Sequence, residues 1–107
     1  MSVASVYVIF ADEAEAERIG RLVVEERLAA CVNILSPARS IYRWQGAVET
    51  PAEVAAIFKT TDARLDAMIA RIAALHSYDV PCIASWPIVK VFAPYRDWIE
   101  DSTRQDS

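Results

Sequence analysis

The order of strand-like and helix-like segments constrains the fold of this 107-residue chain more than any other feature. A β-rich apolar run at 5–10 precedes one helical repeat, and two further strand-like segments precede a second repeat at 65–75. A last strand is expected at 83–91. Apolar side chains three and four residues apart predict amphipathic helices, whereas short β-branched and aromatic runs predict strands. The βαββαβ order predicts an α+β, ferredoxin-like fold: an antiparallel sheet with helices on one face.

Local signals mark the ends of the two helices. Asp12 is expected to cap the first helix, and Glu15, three residues later, completes a capping box. This helix is expected to end near Arg27. Asp62 is expected to cap the second helix. The apolar face of the second helix comprises Leu65, Met68, Ile69, Ile72 and Leu75.

The second and third strands carry irregularities. The second strand is expected at 30–35 and again at 41–44, with Ser36-Pro37 marking a bulge or an edge position because proline cannot donate to a ladder. Gln45-Gly46 is typical of a hairpin turn. The third strand is expected from 47 to about 60, with an irregularity at its own proline. Strands of this length predict arms that project beyond the body of the domain.

A short C-terminal helix is expected after the last strand. Pro94 fits its first turn, where a missing N–H costs no hydrogen bond. Trp98 and Ile99 would lie on its apolar side.

Both faces of the predicted sheet are apolar. The second strand carries Val32, Ile34 and Leu35, and the run at 54–58 is apolar throughout. Two helices cover one face only, and an antiparallel sheet with a wet face alternates apolar and polar residues. The second face is therefore expected to be buried by other subunits, which predicts an obligate oligomer.

Composition excludes several classes of function. A chain with 54% hydrophobic residues and two glycines is expected to fold as a single domain over 1–107. The net charge of −4 disfavours nucleic-acid binding. No apolar run reaches the ~20 residues that span a membrane, and the first residues lack the pattern of a secretory signal. These observations predict a cytoplasmic protein without nucleic-acid or membrane partners.

Four ordered segments carry a resemblance to a known family: Val24-Glu-Glu-Arg-Leu-Ala-Ala-Cys-Val-Asn-Ile34, Ser40-Ile-Tyr-Arg-Trp-Gln-Gly46, Lys59-Thr-Thr61 and Leu75-His-Ser-Tyr-Asp-Val-Pro81. With these segments, the chain from Val6 to about Ile99 resembles the CutA family of divalent-cation tolerance proteins. The resemblance implies a ferredoxin-like homotrimer whose β-arms wrap neighbouring subunits, with an architecture similar to the PII signalling proteins. It also implies a role in the response to copper and other divalent ions, with no enzymatic reaction attached. The chain departs from the family pattern at Ser77, where a proline is usual, and at Cys82, where a glutamate is usual.

Three residues are candidate metal ligands. Cys31 and Cys82 offer thiolates, which suit copper and zinc, and His76 offers an imidazole. Glu49 is a further candidate donor beside them. The alternatives are a packed core thiol at Cys31, a histidine that caps the second helix, and a thiol at Cys82 that merely replaces an acid. A bound Cu²⁺ or another divalent cation would not be required for folding.

A second set of residues could bind a small molecule. Lys59 precedes a predicted helix start, where its ammonium and the helix N–H groups would favour a small anionic ligand. Tyr42, Trp44 and Tyr78 would line the same cleft. The alternatives are a lysine paired with a glutamate and aromatic side chains that anchor subunit contacts.

Three hypotheses of function remain open from the sequence. The first is a homotrimer that binds copper or other divalent cations at clefts between subunits. The second is a PII-like module that binds a small metabolite and signals through partners, and the third is a structural trimer. An enzyme is not expected, because one histidine supports neither a Ser-His-Asp set nor another catalytic arrangement.

Overall fold

A computed structural model describes residues 2–105 and has the predicted α+β architecture. The main sheet has the strand order β2-β5-β1-β6, and every neighbouring pair in it is antiparallel. The βαββαβ order and the ferredoxin-like arrangement are therefore confirmed. The elements are β1 (Val3–Phe10), α1 (Glu13–Glu25), β2 (Cys31–Arg39), β3 (Tyr42–Trp44), β4 (Ala47–Glu49), β5 (Ala52–Thr61), α2 (Asp62–Leu75), β6 (Ile83–Pro87) and α3 (Ala93–Thr103).

The main core lies between the sheet and the pair α1 and α2. Alternate residues of β1 and β5 point to this side and are fully buried, as are the inner residues of both helices. Burial of each large apolar side chain stabilises the fold by about 1.5–3 kcal/mol. The core side chains include Val6, Val8, Phe10, Ile19, Val23, Phe58, Met68 and Ile72.

The first helix begins as its sequence predicts. Asp12 is the N-cap, and its side chain accepts a hydrogen bond of 2.8 Å from the backbone N–H of Glu15. The Glu15 carboxylate turns back and accepts from the N–H of Ala11, one residue before the cap position. The helix ends at Glu25, and Arg27 follows with a positive φ of 61°.

The prediction that Asp62 caps α2 is wrong. Thr61 is the N-cap residue, and its side chain makes no capping hydrogen bond, while Asp62 is already the first helical residue. The β1–β5 ladder ends at the pair of Val3 and Thr61, and the helix starts at the next residue. The extended backbone therefore ends one residue earlier than the local capping signal indicates.

The prediction of one third strand over 47–60 is wrong in its continuity, although the irregularity expected at Pro51 is confirmed, because the strand is interrupted between Glu49 and Ala52. β4 and β5 are separate strands, since Pro51 has no N–H to donate to a ladder. β3 and β4 form a two-stranded sheet of their own, which we call the arm (residues 42–49). Gln45 and Gly46 turn its hairpin with φ angles of 49° and 83°, as a two-residue turn requires.

The two edge strands of the main sheet, β2 and β6, differ in length from their predictions. β2 is an edge strand with a register shift between Leu35 and Ala38, so the irregularity predicted there is confirmed. The strand nevertheless runs on to Arg39, and the second half predicted at 41–44 is the separate strand β3 of the arm. β6 ends at Pro87 and not at 91, because its partner β1 begins only at Val3.

The second face of the sheet is open in the subunit over most of its width. α3 covers one end of this face, where Ile99 is buried with Val3 and Ala30. Trp98 is 45% exposed and stacks on the ring of Tyr95, with centroids 5.7 Å apart. Further along the face, Leu35 and Trp86 are 48% and 45% exposed, and the ring of Trp86 lies 6.3 Å from that of Tyr7 between centroids. The sheet is therefore apolar on a face that its own helices leave uncovered.

Within residues 2–105, no helix combines the length and the apolar character that crossing a membrane needs.

The close approach of α1 to β2 generates a stability prediction. A Cβ atom at the buried Gly20 would lie 3.0 Å from Cγ1 of Val32. Gly20→Ile should therefore destabilise the protein by about 1–3 kcal/mol through overpacking, despite the better helix propensity of isoleucine. Denaturant unfolding at fixed protein concentration measures this. Ala14→Ile, on the exposed side of the same helix, is the control and should change stability little. Equal effects of the two substitutions would contradict the close packing of Gly20.

Candidate functional site

A pocket of about 690 Å³ lies between the arm and the segment that joins α2 to β6. Its walls come from the end of β1, the arm, the start of β5 and the loop after α2. Its volume lies within the roughly 300–1,000 Å³ of small-molecule pockets. The lining residues are Ile9, Ser40, Tyr42, Trp44, Glu53, Ser77, Tyr78, Asp79, Val80, Pro81 and Cys82.

Three aromatic side chains line the pocket. Tyr42 and Trp44 stand on β3 and are about 40% exposed (40% and 41%). Tyr78 approaches from the loop after α2 and is partly buried. The structure thus brings together three of the four residues predicted to bind a small molecule.

Glu53 supplies a nearly buried carboxylate to the same pocket. The residue is only 4% exposed, and its Oε2 accepts a hydrogen bond of 2.5 Å from the hydroxyl of Tyr78. Among residues 2–105, no lysine or arginine forms an ion pair with this carboxylate. Its partner is therefore a neutral phenol and not a cation.

The two tyrosines beside Glu53 remain protonated at neutral pH. Burial raises the pKa of Tyr78, and the hydrogen bond to Glu53 and the negative charge of that carboxylate raise it further. Removal from solvent also raises the pKa of Tyr42, followed by the charges of Glu53 and Glu49. Both phenols are therefore neutral rings with a hydroxyl that can donate.

His76 fixes the loop that carries Tyr78. Its Nδ1 accepts from the backbone N–H of Tyr78 at 3.0 Å, so Nε2 carries the proton and donates to the carbonyl of Ile9 at 2.8 Å. The buried ring also stacks on Phe10, with centroids 5.2 Å apart. Both nitrogens are thus used inside the subunit, and a metal ion would have to break one of these bonds. The sequence suggested, as an alternative to metal binding, that His76 caps α2. In the structure its ring also joins the loop after α2 to β1.

Glu15 holds the same loop from the other side. Its Oε2 accepts from the N–H of Ser77 at 2.9 Å, and its Oε1 accepts from the N–H of Ala11. Burial raises the pKa of this carboxyl, but the hydrogen bonds from Ser77 and Ala11 and the nearby His76 outweigh it, so the pKa lies below the ordinary 4.5. An ionised Glu15 therefore stabilises the wall of the pocket.

Cys31 and Lys59 lie at the opposite end of the second face. They are register partners on β2 and β5, and Sγ of Cys31 lies 3.5 Å from the hydroxyl of Tyr95 on α3. Six residues separate Lys59 from Glu53 along β5, which corresponds to about 20 Å. Lys59 was expected to share a cleft with the three aromatic residues, but it does not line this pocket.

The predicted metal ligands are not brought together in one subunit. Cys82 is exposed and lines the pocket, whereas Cys31 is half-buried at the far end of the sheet and His76 is engaged at both nitrogens. Over residues 2–105, no group of three or more His, Cys, Asp or Glu side chains could hold a metal ion. Any site that uses Cys82 needs further donors.

Comparison with known proteins assigns the family. The family model of the CutA1 divalent ion tolerance protein matches residues 4–102. This chain belongs to the CutA family. The divalent-cation tolerance protein CutA of Thermus thermophilus is 44% identical over 91 residues, which cover 85% of this chain and 88% of that protein. The crystal structure of CutA from Xylella fastidiosa has a TM-score of 0.94 at 36% identity and covers 97% of this chain and all of that one (100%).

Other CutA proteins differ in length and in named location. The chloroplastic CutA 1 of Oryza sativa is 39% identical over 94% of this chain, but the chain spans only 56% of that protein. The crystal structure of rice CutA1 has a TM-score of 0.94 at 37% identity, with 99% of this chain and 97% of that chain covered. The Archaeoglobus fulgidus structure is described as periplasmic. The cytoplasmic location of this chain therefore stays a prediction.

Sequence reasoning missed the role of Glu53. The residue was visible as a charged side chain directly before the apolar run at 54–58. An acid at the edge of such a run signals a specific environment, since unpaired carboxylates are seldom buried. The partner Tyr78 lies 25 residues away, so the pairing itself needs the fold.

The lowered pKa of Glu15 generates a prediction of pH dependence. Because the folded pKa lies below the unfolded one, its stabilisation is present above about pH 4.5 and is lost as the pH falls through the folded value. Glu15→Gln should lower the melting temperature at pH 7, since an amide NH₂ cannot accept from a backbone N–H, at a cost of about 1–3 kcal/mol. The difference from wild type should shrink on acidification. Thermal unfolding from pH 7 to 3 measures it.

Glu17→Gln is the matched control for this pH series. Glu17 lies on the same helix, and its side chain is 69% exposed beside Arg21. Its substitution should change stability little at any pH. A pH-independent loss in Glu15→Gln would show that the charge of Glu15 does not stabilise the loop.

Proposed function

We propose that this CutA-family protein acts in the response to divalent cations as a homotrimer, and that it binds the cation, copper foremost, at the pocket beneath the arm. The observation that carries the proposal is the pocket itself, where Cys82 lies with Asp79 and Glu53. A thiolate is a soft donor that suits copper, and carboxylates add charge. The pocket replaces the Cys31 and His76 pair as the favoured location.

The incomplete set of donors in one subunit supports a location between subunits. The donors of one subunit do not form a complete site within residues 2–105. Every residue of the arm is exposed, so a neighbour in contact with it could add donors. The number three for the assembly comes from the family resemblance, and the open second face gives the apolar surface that assembly would bury.

Copper titration tests the metal site. Isothermal calorimetry of the wild-type oligomer with Cu²⁺ should show stoichiometric binding, and Cys82→Ser should weaken the affinity at least tenfold, which is about 1.4 kcal/mol. Asp79→Asn should weaken it less, because the thiolate is the softer donor. Zn²⁺ titrated in parallel shows whether the site prefers copper.

Cys31→Ser is the control for the loss of a thiol. Cys31 lies outside the pocket, next to Tyr95, so its removal should leave copper binding unchanged. Binding that survives in Cys82→Ser and disappears in Cys31→Ser would refute the pocket as the metal site.

Light scattering tests the assembly. Wild-type protein at low micromolar concentration should have the mass of three subunits. Trp86→Glu should shift the mass towards the monomer, because it buries a charge in the apolar second face. Ala14→Glu on the exposed side of α1 is the control and should keep the trimer. A stable wild-type monomer would contradict the proposal.

A second candidate function is the binding of a small metabolite, as in a PII-like module. The volume of about 690 Å³ and the three aromatic walls favour it, because a bare metal ion needs far less space. The two functions share one pocket, so a metabolite and a cation would compete there.

A further inference from the structure

The carboxylate of Glu53 is buried in the wall of the pocket without a cationic partner among residues 2–105. It is 4% exposed, and its Oε2 accepts a hydrogen bond from the neutral hydroxyl of Tyr78. By contrast, the more exposed Glu26 forms a two-point pair with Arg71 at 2.8 and 2.9 Å. Glu15 is buried to the same degree as Glu53 but accepts two backbone N–H groups. Glu53 therefore lies in a place where a cation would be stabilised.

The charge balance of the pocket selects the sign of its ligand. Glu53 and Asp79 line it, and among the described residues no lysine or arginine does. A carboxylate or phosphate group would approach two acids without a positive partner. The small anionic ligand expected from Lys59 therefore does not fit this pocket, since Lys59 lies about 20 Å away along β5.

The walls beside Glu53 select an organic cation. The rings of Tyr42, Trp44 and Tyr78 line the pocket together, and both phenols stay protonated next to Glu53. Neutral aromatic faces attract alkylated ammonium groups, whose charge is spread over apolar N-methyl or N-alkyl surface. A strongly hydrated inorganic ion would leave most of this aromatic surface unused.

We propose that the pocket binds a small organic ammonium ion, with the charged nitrogen near Glu53 and its alkyl groups against Tyr42, Trp44 and Tyr78. This inference rests on the second candidate function, in which the pocket takes up a small molecule. It adds the chemical class of that molecule, a quaternary or otherwise alkylated amine.

A matched pair of probes tests the role of charge. Choline and 3,3-dimethylbutan-1-ol have nearly the same shape, but only choline is charged. Titration of the full-length oligomer, followed by calorimetry and tryptophan fluorescence, should show choline binding at least tenfold tighter than the neutral alcohol. Equal affinity for the two, or no binding of choline, would overturn the inference. Saturable binding of phosphate at the pocket would also overturn it.

Two variants, each with a control, locate the site. Glu53→Gln keeps an acceptor for Tyr78 but removes the charge, and it should weaken choline binding at least tenfold. Its control is Glu25→Gln, which removes an exposed acid at the end of α1 and should leave choline binding unchanged. Trp44→Leu should weaken binding several-fold, whereas Trp98→Leu on α3 should leave it unchanged. Thermal unfolding of each variant shows that it is folded. Choline binding that is unaffected by Glu53→Gln contradicts the proposal.

The copper titration separates this inference from the metal proposal. Copper binding that depends on Cys82, together with no choline binding, would overturn the ammonium site and leave the metal function intact. Choline binding that depends on Glu53, with no copper binding, would support the ammonium site and remove the metal function. Displacement of choline by Cu²⁺ in wild type, but not in Cys82→Ser, would support both in one pocket.

Discussion

The antiparallel ladder between β1 and β5 is the constraint on which the rest of the structure depends. It pairs eight residues on each strand without a break, from Val3 with Thr61 to Phe10 with Val54. One set of alternate side chains enters the core against α1 and α2, and the other set forms the open second face. The same ladder ends at Thr61, directly before α2, and brings the Glu53 end of β5 beside the end of β1. The register of β1 with β5 therefore sets the positions of the core, the open face and the pocket.

Buried polar groups then position the pocket on this sheet. His76 ties the loop after α2 to the carbonyl of Ile9, and Glu15 holds the N–H of Ser77. These groups are satisfied within the subunit, which is typical of a structural role. Glu53 differs, because its carboxylate has a neutral partner and faces the cavity. Glu15 accepts from two backbone N–H groups of the scaffold, whereas Glu53 accepts from the hydroxyl of Tyr78 in the wall of the cavity.

Membership of the CutA family gives a broad role without giving the chemistry of the site. This chain has Cys82 and Ser77 in the loop, and Cys82 adds a thiol to the pocket wall. The predicted ligands Cys31 and His76 are committed to other contacts, with Tyr95 and with Ile9 and Tyr78. The family assignment therefore indicates a role in the tolerance of divalent ions. The local geometry indicates which side chains can contact a ligand.

The sequence by itself determined the order of elements, the Asp12 cap, the turn at Gln45 and Gly46, and the apolar character of both sheet faces. These are local or periodic properties, which neighbouring residues decide. It could not determine that the two parts of the third strand belong to separate sheets, nor which candidate ligands meet. Only the tertiary structure placed Tyr78 on Glu53 and set Lys59 at the far end of β5, because such contacts join residues distant along the chain.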